Sequence, residues 1–121
     1  MGSATRMALI VDDEPDICEI IEFEIQSKGF KTLVKNCGKD ALEAARNQKF
    51  DLIISDVRMP NGSGVDLLNG VKQLDYKPLF IFLTGFADIS EEEARQKGAW
   101  GIIEKPIDFK VLHTAIDSHI K

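Results

Sequence analysis

The chain has 121 residues, 20 acidic against 15 basic, for a net charge of −5; its length fits one domain that buries roughly two-thirds of the surface its unfolded form exposes. The acid excess argues against a large electrostatic footprint for nucleic acid or anionic lipid, and no apolar run approaches a membrane span, so neither membrane nor direct nucleic-acid binding is expected. Cys18 and Cys37 are too few for a stapled secreted scaffold and lack CxxC spacing, so they read as reduced, partly buried thiols in a cytoplasmic protein without a signal peptide.

Residues 1–6 begin Met-Gly-Ser and read as a tag remnant or disordered N-terminus, with a single domain over 7–121. MALIV (7–11) is the first expected strand, apolar throughout rather than alternating, as in a strand covered on both faces. Ile17, Ile20, Ile21 and Ile25 share a helical face, and Gly29 is the expected C-cap. FKTLVK (30–35) is a weaker strand suited to a place nearer the sheet edge. A helical pattern follows through Leu42 and Ala45. DLIIS (51–55) is the third strand, and Leu67, Leu68 and Val71 mark the third helix. LFIFL (79–83) is the fourth strand. Ser90-Glu91-Glu92-Glu93 reads as a capping box opening a short helix with little apolar face beyond Ala94, so that helix is expected to pack loosely before a C-cap at Gly98. WGIIE (100–104) is the fifth strand, and Phe109, Leu112 and Ile116 define the last helix.

Five alternations of strand and helix with short connections demand right-handed crossovers. The fold class is therefore α/β, a doubly wound five-stranded parallel sheet with helices on both faces. Ligands in such sheets bind beyond the carboxyl ends of the strands, where strand order reverses. The polar residues at those ends are Asp12 and Asp13 after the first strand, Asp56 after the third, Thr84 after the fourth and Lys105 after the fifth. Two like charges 4 Å apart repel by about 4 kcal/mol at an effective dielectric of about 20, so a cation is required among the three acids. Carboxylates beside an ammonium and a hydroxyl suit a divalent metal plus a transferable phosphoryl group. Taken singly, Asp12, Asp13 or Asp56 reads as a cap and Lys105 as a surface charge; the joint pattern carries the functional reading. His113 and His119 are six apart and do not share a helical face at ligand spacing.

VDDEPD, DVRMPNGSG, LTG and EKP, in that order, resemble the receiver domain of two-component response regulators, over essentially the whole chain. The resemblance implies a flavodoxin-like (βα)5 fold with strand order 2-1-3-4-5. It makes Asp56 the phosphoacceptor, receiving a phosphoryl group from a phosphohistidine of a sensor histidine kinase or histidine phosphotransfer protein. It implies Mg2+ bound by Asp12, Asp13 and Asp56 with the Arg58 backbone carbonyl. Lys105 would pair with the phosphoryl group and Thr84 would hydrogen-bond it. The domain would then act as a switch rather than a turnover enzyme, with intrinsic autodephosphorylation. Pro106 follows Lys105 as in the family, where that peptide bond is usually cis, and Gly64 matches the glycine opening the third helix. Output is expected from the surface of the fourth helix, fifth strand and fifth helix, toward an output domain or protein target, with a phosphorylation-dependent homodimer also compatible. The chain ends with the last helix, and reads equally as a stand-alone receiver or a fragment of a larger regulator.

Some positions depart from the family pattern. Ile102 stands where many receivers carry a Tyr or Phe that swings inward on activation, and the segment from Thr84 to Gly98 is about one residue short. Phosphoryl charge is thus expected to reorder the loop after Thr84 and the helix of Ser90 to Lys97. Arg58 and Phe86 are expected to flank the pocket mouth, a bulky Phe86 lengthening the life of the phosphoprotein. Trp100 is either an exposed partner anchor or a cover for the sheet edge. Rival readings are a flavin protein, disfavoured because the loop Asp12 to Asp16 repels phosphate; a haloacid-dehalogenase-type phosphatase, disfavoured because Arg58 stands where the second acid is needed; and a receiver-like interaction module that works without phosphorylation, which the Ile102 departure keeps open.

Overall fold

Successive residues of a strand point to opposite sides of its sheet, so a run that is apolar at every position needs cover on both faces. The computed structural model, which describes residues 5–85 and 89–120, supplies that cover. Its strands are β1 (Arg6–Val11), β2 (Phe30–Lys35), β3 (Leu52–Asp56), β4 (Leu79–Thr84) and β5 (Gly101–Glu104), and its helices are α1 (Pro15–Gln26), α2 (Gly38–Asn47), α3 (Gly64–Val71), α4 (Glu91–Gln96) and α5 (Phe109–His119). The strands form one sheet in the order β2-β1-β3-β4-β5, all pairs parallel. Each expected strand lies within a residue of its place.

Ala8, Ile10, Leu52, Ile54, Ile81 and Leu83 face one core, closed by Ile21 and Ile25 of α1 and Leu112 and Ile116 of α5. Their neighbours Leu9, Val11, Ile53, Phe80 and Phe82 face the other, under Ala41 and Ala45 of α2, Leu67, Leu68 and Val71 of α3 and Ala94 of α4. Each fully buried Leu, Ile, Val or Phe among them contributes about 1.5–3 kcal/mol relative to exposure. β2 lies at an edge with only Phe30 buried and most of its other residues half-buried, which is why FKTLVK carries more polar residues than the central strands.

One expected helical face needs correction. In α1 the buried stripe is Cys18, Ile21 and Ile25, while Ile20 is half exposed and Phe23 is 73% exposed. Positions 18, 21 and 25 follow the i, i+3, i+7 rule, and residue 20 is turned about 100° away from residue 21. In α3 the expected face is buried, and in α5 Leu112 and Ile116 are buried while Phe109 is half-buried against the same core. α4 is six residues long with only Ala94 buried, and the Ser90 side chain accepts from the Glu93 backbone N–H, as its sequence implied. Its C-terminus closes on Gly98 at φ 108, where Gly98 N–H donates to Arg95 and Ala99 N–H to Ala94; this paired arrangement needs the left-handed conformation that glycine adopts without strain. A full reciprocal capping box occurs instead at α3, between Ser63 and Asp66.

Candidate functional site

β1 and β3 are adjacent, and the chain leaves β1 toward β2 on one side before returning to β3 on the other. Their carboxyl ends flank the reversal point. Asp12, one residue beyond β1, is fully buried, and Asp56, the last residue of β3, is 8% exposed. Thr84 closes β4 and is also buried. Lys105 arrives from beyond β5, its backbone N–H donating to the Thr84 carbonyl at 2.8 Å, ahead of a cis peptide bond to Pro106.

The Lys105 ammonium is the cation that the acid cluster requires. Its Nζ lies 2.9 Å from Asp56 Oδ2 and 3.0 Å from Glu14 Oε1, donating a hydrogen bond to each, and 2.9 Å from Asp12 Oδ2. Burial alone would lower the lysine pKa, but the close carboxylates of Asp12, Asp56 and Glu14 outweigh it and hold the group above the ordinary lysine value. At Asp12 the balance runs the other way. Desolvation raises its pKa, opposed by Lys105 and by the Glu14 backbone N–H, which donates to Oδ1 at 3.0 Å.

Asp12 is anchored through its backbone. Its carbonyl accepts from Asn36 Nδ2 at 3.0 Å and from Cys18 Sγ at 3.4 Å, and its N–H donates to the Lys35 carbonyl. Burial and the nearby Asp12 and Glu22 charges push the Cys18 thiol up to about 11, so it remains a protonated donor at neutral pH. Neither cysteine is in a disulfide.

Asp13 is exposed, with a carboxylate oxygen in one group with those of Asp12, Glu14 and Asp56, all within 4.8 Å of one another. Asp12 Oδ2 is buried and, despite its ion pair with Lys105, lacks a hydrogen-bond partner among the described residues. The distance to Lys105 is short, and the contact is an ion pair rather than an aligned hydrogen bond. Hard carboxylate oxygens at this spacing fit a divalent cation with bonds of ~2.1 Å after small adjustments. Arg58 is exposed, and its backbone N–H reaches Asp56 Oδ1 at 3.4 Å.

The loop from Val57 to Ser63 is set by close backbone packing. Gly64 N–H donates to the Val57 carbonyl at 2.9 Å, and a Cβ at Gly64 would collide with the Asp56 carbonyl oxygen. Only glycine lets α3 start this near the end of β3. The carbonyls of Asn61 and Gly62 accept from the first N–H groups of α2, at Lys39 and Gly38, so this loop caps α2, whose Cys37 makes no side-chain cap.

The sequence-derived candidates Asp12, Asp13, Asp56, Thr84, Arg58 and Lys105 gather at this one edge. Missed there were Glu14 as a Lys105 partner, and Asn36 and Cys18 as supports of Asp12; a carboxylate in a row of three acids and two side chains binding a carbonyl leave no periodic signal. Phe86 lies outside the described residues. Ile102 is half-buried beside Thr84, Ile89 and Glu91 around a groove of about 310 Å³. Trp100 packs against the α1/α5 core and so covers the sheet edge. His113 faces Glu24 and His119 Nδ1 donates to the Ala115 carbonyl at 2.9 Å, away from the acid cluster.

A family model described as the response regulator receiver domain matches residues 8–117. The chain is 32% identical over 110 residues to the transcriptional regulatory protein ZraR of Escherichia coli (strain K12), covering 90% of this chain and 25% of that protein. It is 31% identical over 117 residues to the response regulator protein PilR of Pseudomonas aeruginosa, covering 96% and 26%. The chain thus spans about a quarter of the length of these relatives. Among solved structures, a CheY-like receiver domain from Methylobacillus flagellatus superposes with a TM-score of 0.84 at 27% identity, covering 95% of this chain and 98% of that one. Matching motifs, strand order and family model agree: the chain belongs to the response regulator receiver domain family.

Proposed function

We propose that Asp56 is a phosphoacceptor, taking a phosphoryl group from a phosphohistidine of a sensor histidine kinase or phosphotransfer protein. The observation that carries this is the joint placement of Asp56 Oδ2 and the buried Asp12 carboxylate on one lysine ammonium. An Asp56 oxygen attacks phosphorus, the P–N bond breaks with its electron pair passing to the imidazole nitrogen, and that nitrogen takes a proton. Lys105 then donates to a phosphoryl oxygen and the Thr84 hydroxyl to another. Asp12, Asp13 and Asp56, with the Arg58 carbonyl, would hold Mg2+, which when bound neutralises charge on the phosphoryl oxygens. Hydrolysis of the aspartyl phosphate resets the domain, which therefore works as a switch rather than a turnover catalyst.

Readout runs through α4, β5 and α5 toward an output domain or target, a reading supported by the small buried face of α4 and by the groove between Thr84 and Ile102. Backbone amide shifts over residues 90–97 that stay fixed on phosphorylation would sink it. A receiver-shaped module acting without phosphorylation is the second reading, favoured by the aliphatic Ile102. The two separate by intact mass with acetyl phosphate, with and without Mg2+: a metal-dependent gain of one phosphoryl group, absent in Asp56→Asn, is expected, and no gain in wild type leaves the second.

A further inference from the structure

Glu14 occupies the N-cap position of α1, yet its side chain makes no capping hydrogen bond. Capping is the ordinary use of a polar side chain there. The carboxylate instead reaches a residue 91 positions away, accepting from Lys105 Nζ at 3.0 Å although it is 60% exposed. The backbone beneath it is fixed by the hydrogen bond from its N–H to Asp12 Oδ1 and by Pro15, the first residue of the helix.

An ammonium has three protons. Two of those on Lys105 go to Asp56 and Glu14, and the third side of the group faces Asp12. Donating to a phosphoryl oxygen therefore means giving up a partner. Asp12 is buried and its backbone is gripped by Asn36 and Cys18; Asp56 is the acceptor itself. The arm to Glu14 is solvent-exposed, and exposed ion pairs are weak. It is the contact most readily released.

We infer that Glu14 is a positioning residue for Lys105: its carboxylate holds the ammonium over Asp56 while no phosphoryl group is present and yields it when one arrives. The inference rests on the phosphoacceptor reading. Holding Lys105 at rest opposes phosphoryl binding, so loss of the contact favours the occupied state.

The test is a titration with beryllofluoride, a phosphoryl mimic, at a Mg2+ concentration shown to saturate each protein, followed by backbone amide NMR. Wild type, Glu14→Gln and Glu14→Asp are compared, with hydrogen exchange of the Lys105 ammonium as a second readout. Aspartate keeps the charge but is one methylene too short for the contact. Both variants are expected to bind beryllofluoride about two- to fivefold more tightly, the range of an exposed pair, and both to speed exchange at Lys105. Equal midpoints in all three proteins overturn the inference alone. So does Glu14→Asp behaving as wild type while Glu14→Gln shifts, which assigns the effect to charge rather than contact. Absence of any binding to wild type overturns the phosphoacceptor reading and this inference with it.

Discussion

Lys105 answers to three carboxylates, and its removal has a cost that geometry fixes. Without it the fully buried Asp12 carboxylate loses its counter-ion. Breaking a buried pair costs 3–5 kcal/mol; the pocket opens to solvent, so Lys105→Met is expected to lose about 2 kcal/mol in denaturant unfolding without metal, and Mg2+ should restore part of it. Asp12 gives the opposite sign. Its carboxyl is held above the ordinary carboxylate value by desolvation, so the folded protein binds that proton more tightly than the unfolded chain does. Stability then falls as pH rises from the unfolded value through the raised one. Asp12→Asn should raise the metal-free melting temperature by a few degrees at neutral pH, an advantage that shrinks as the pH is lowered through that window. A lower melting temperature at neutral pH would show that the Lys105 pair outweighs desolvation. At this scale the sequence disclosed the acids, the hydroxyl and the lysine because each ends or follows an apolar run. Glu14, Asn36 and Cys18 stayed hidden because their roles depend on which loops meet across the sheet.

Among the elements, the start of α3 and the whole of α4 carry the sharpest expectations. Gly64→Ala drives a methyl group into the Asp56 carbonyl, against backbone that cannot move aside. Overpacking of this kind costs about 1–3 kcal/mol, read as a lower denaturant midpoint, and it should also shift the Asp56 amide resonance. Ser90→Ala removes the cap from a helix with a single buried residue. About 1 kcal/mol is at stake, so amide exchange should accelerate over residues 91–96 while β1 and β3 are unchanged; a uniform change would mean that α4 does not open on its own. The positions of β1 and β4 were readable because a wholly apolar run of five has few other uses, and the shorter apolar runs of β3 and β5 fell at matching places between helical patterns. The α1 face was misjudged at Ile20 because three isoleucines within five residues outweighed the spacing. The cap of α2 was not readable at all, since it comes from carbonyls of the Asn61–Gly62 turn rather than from its own side chains.

For the whole molecule, parallel order and two-sided burial bring four strand ends to one edge, and the reversal between β1 and β3 leaves an opening there. The architecture follows from periodicity and short connections, whereas the strand order came from resemblance and is matched by the structure. Under the proposed function, this edge forms an acyl phosphate on Asp56. Borohydride reduction after treatment with acetyl phosphate and Mg2+, followed by peptide mass mapping, locates such a bond because it converts the acylated aspartate to homoserine. Homoserine at position 56, dependent on Mg2+, is the predicted result; homoserine at another acid, or at none while a known receiver treated in parallel is labelled, would contradict it.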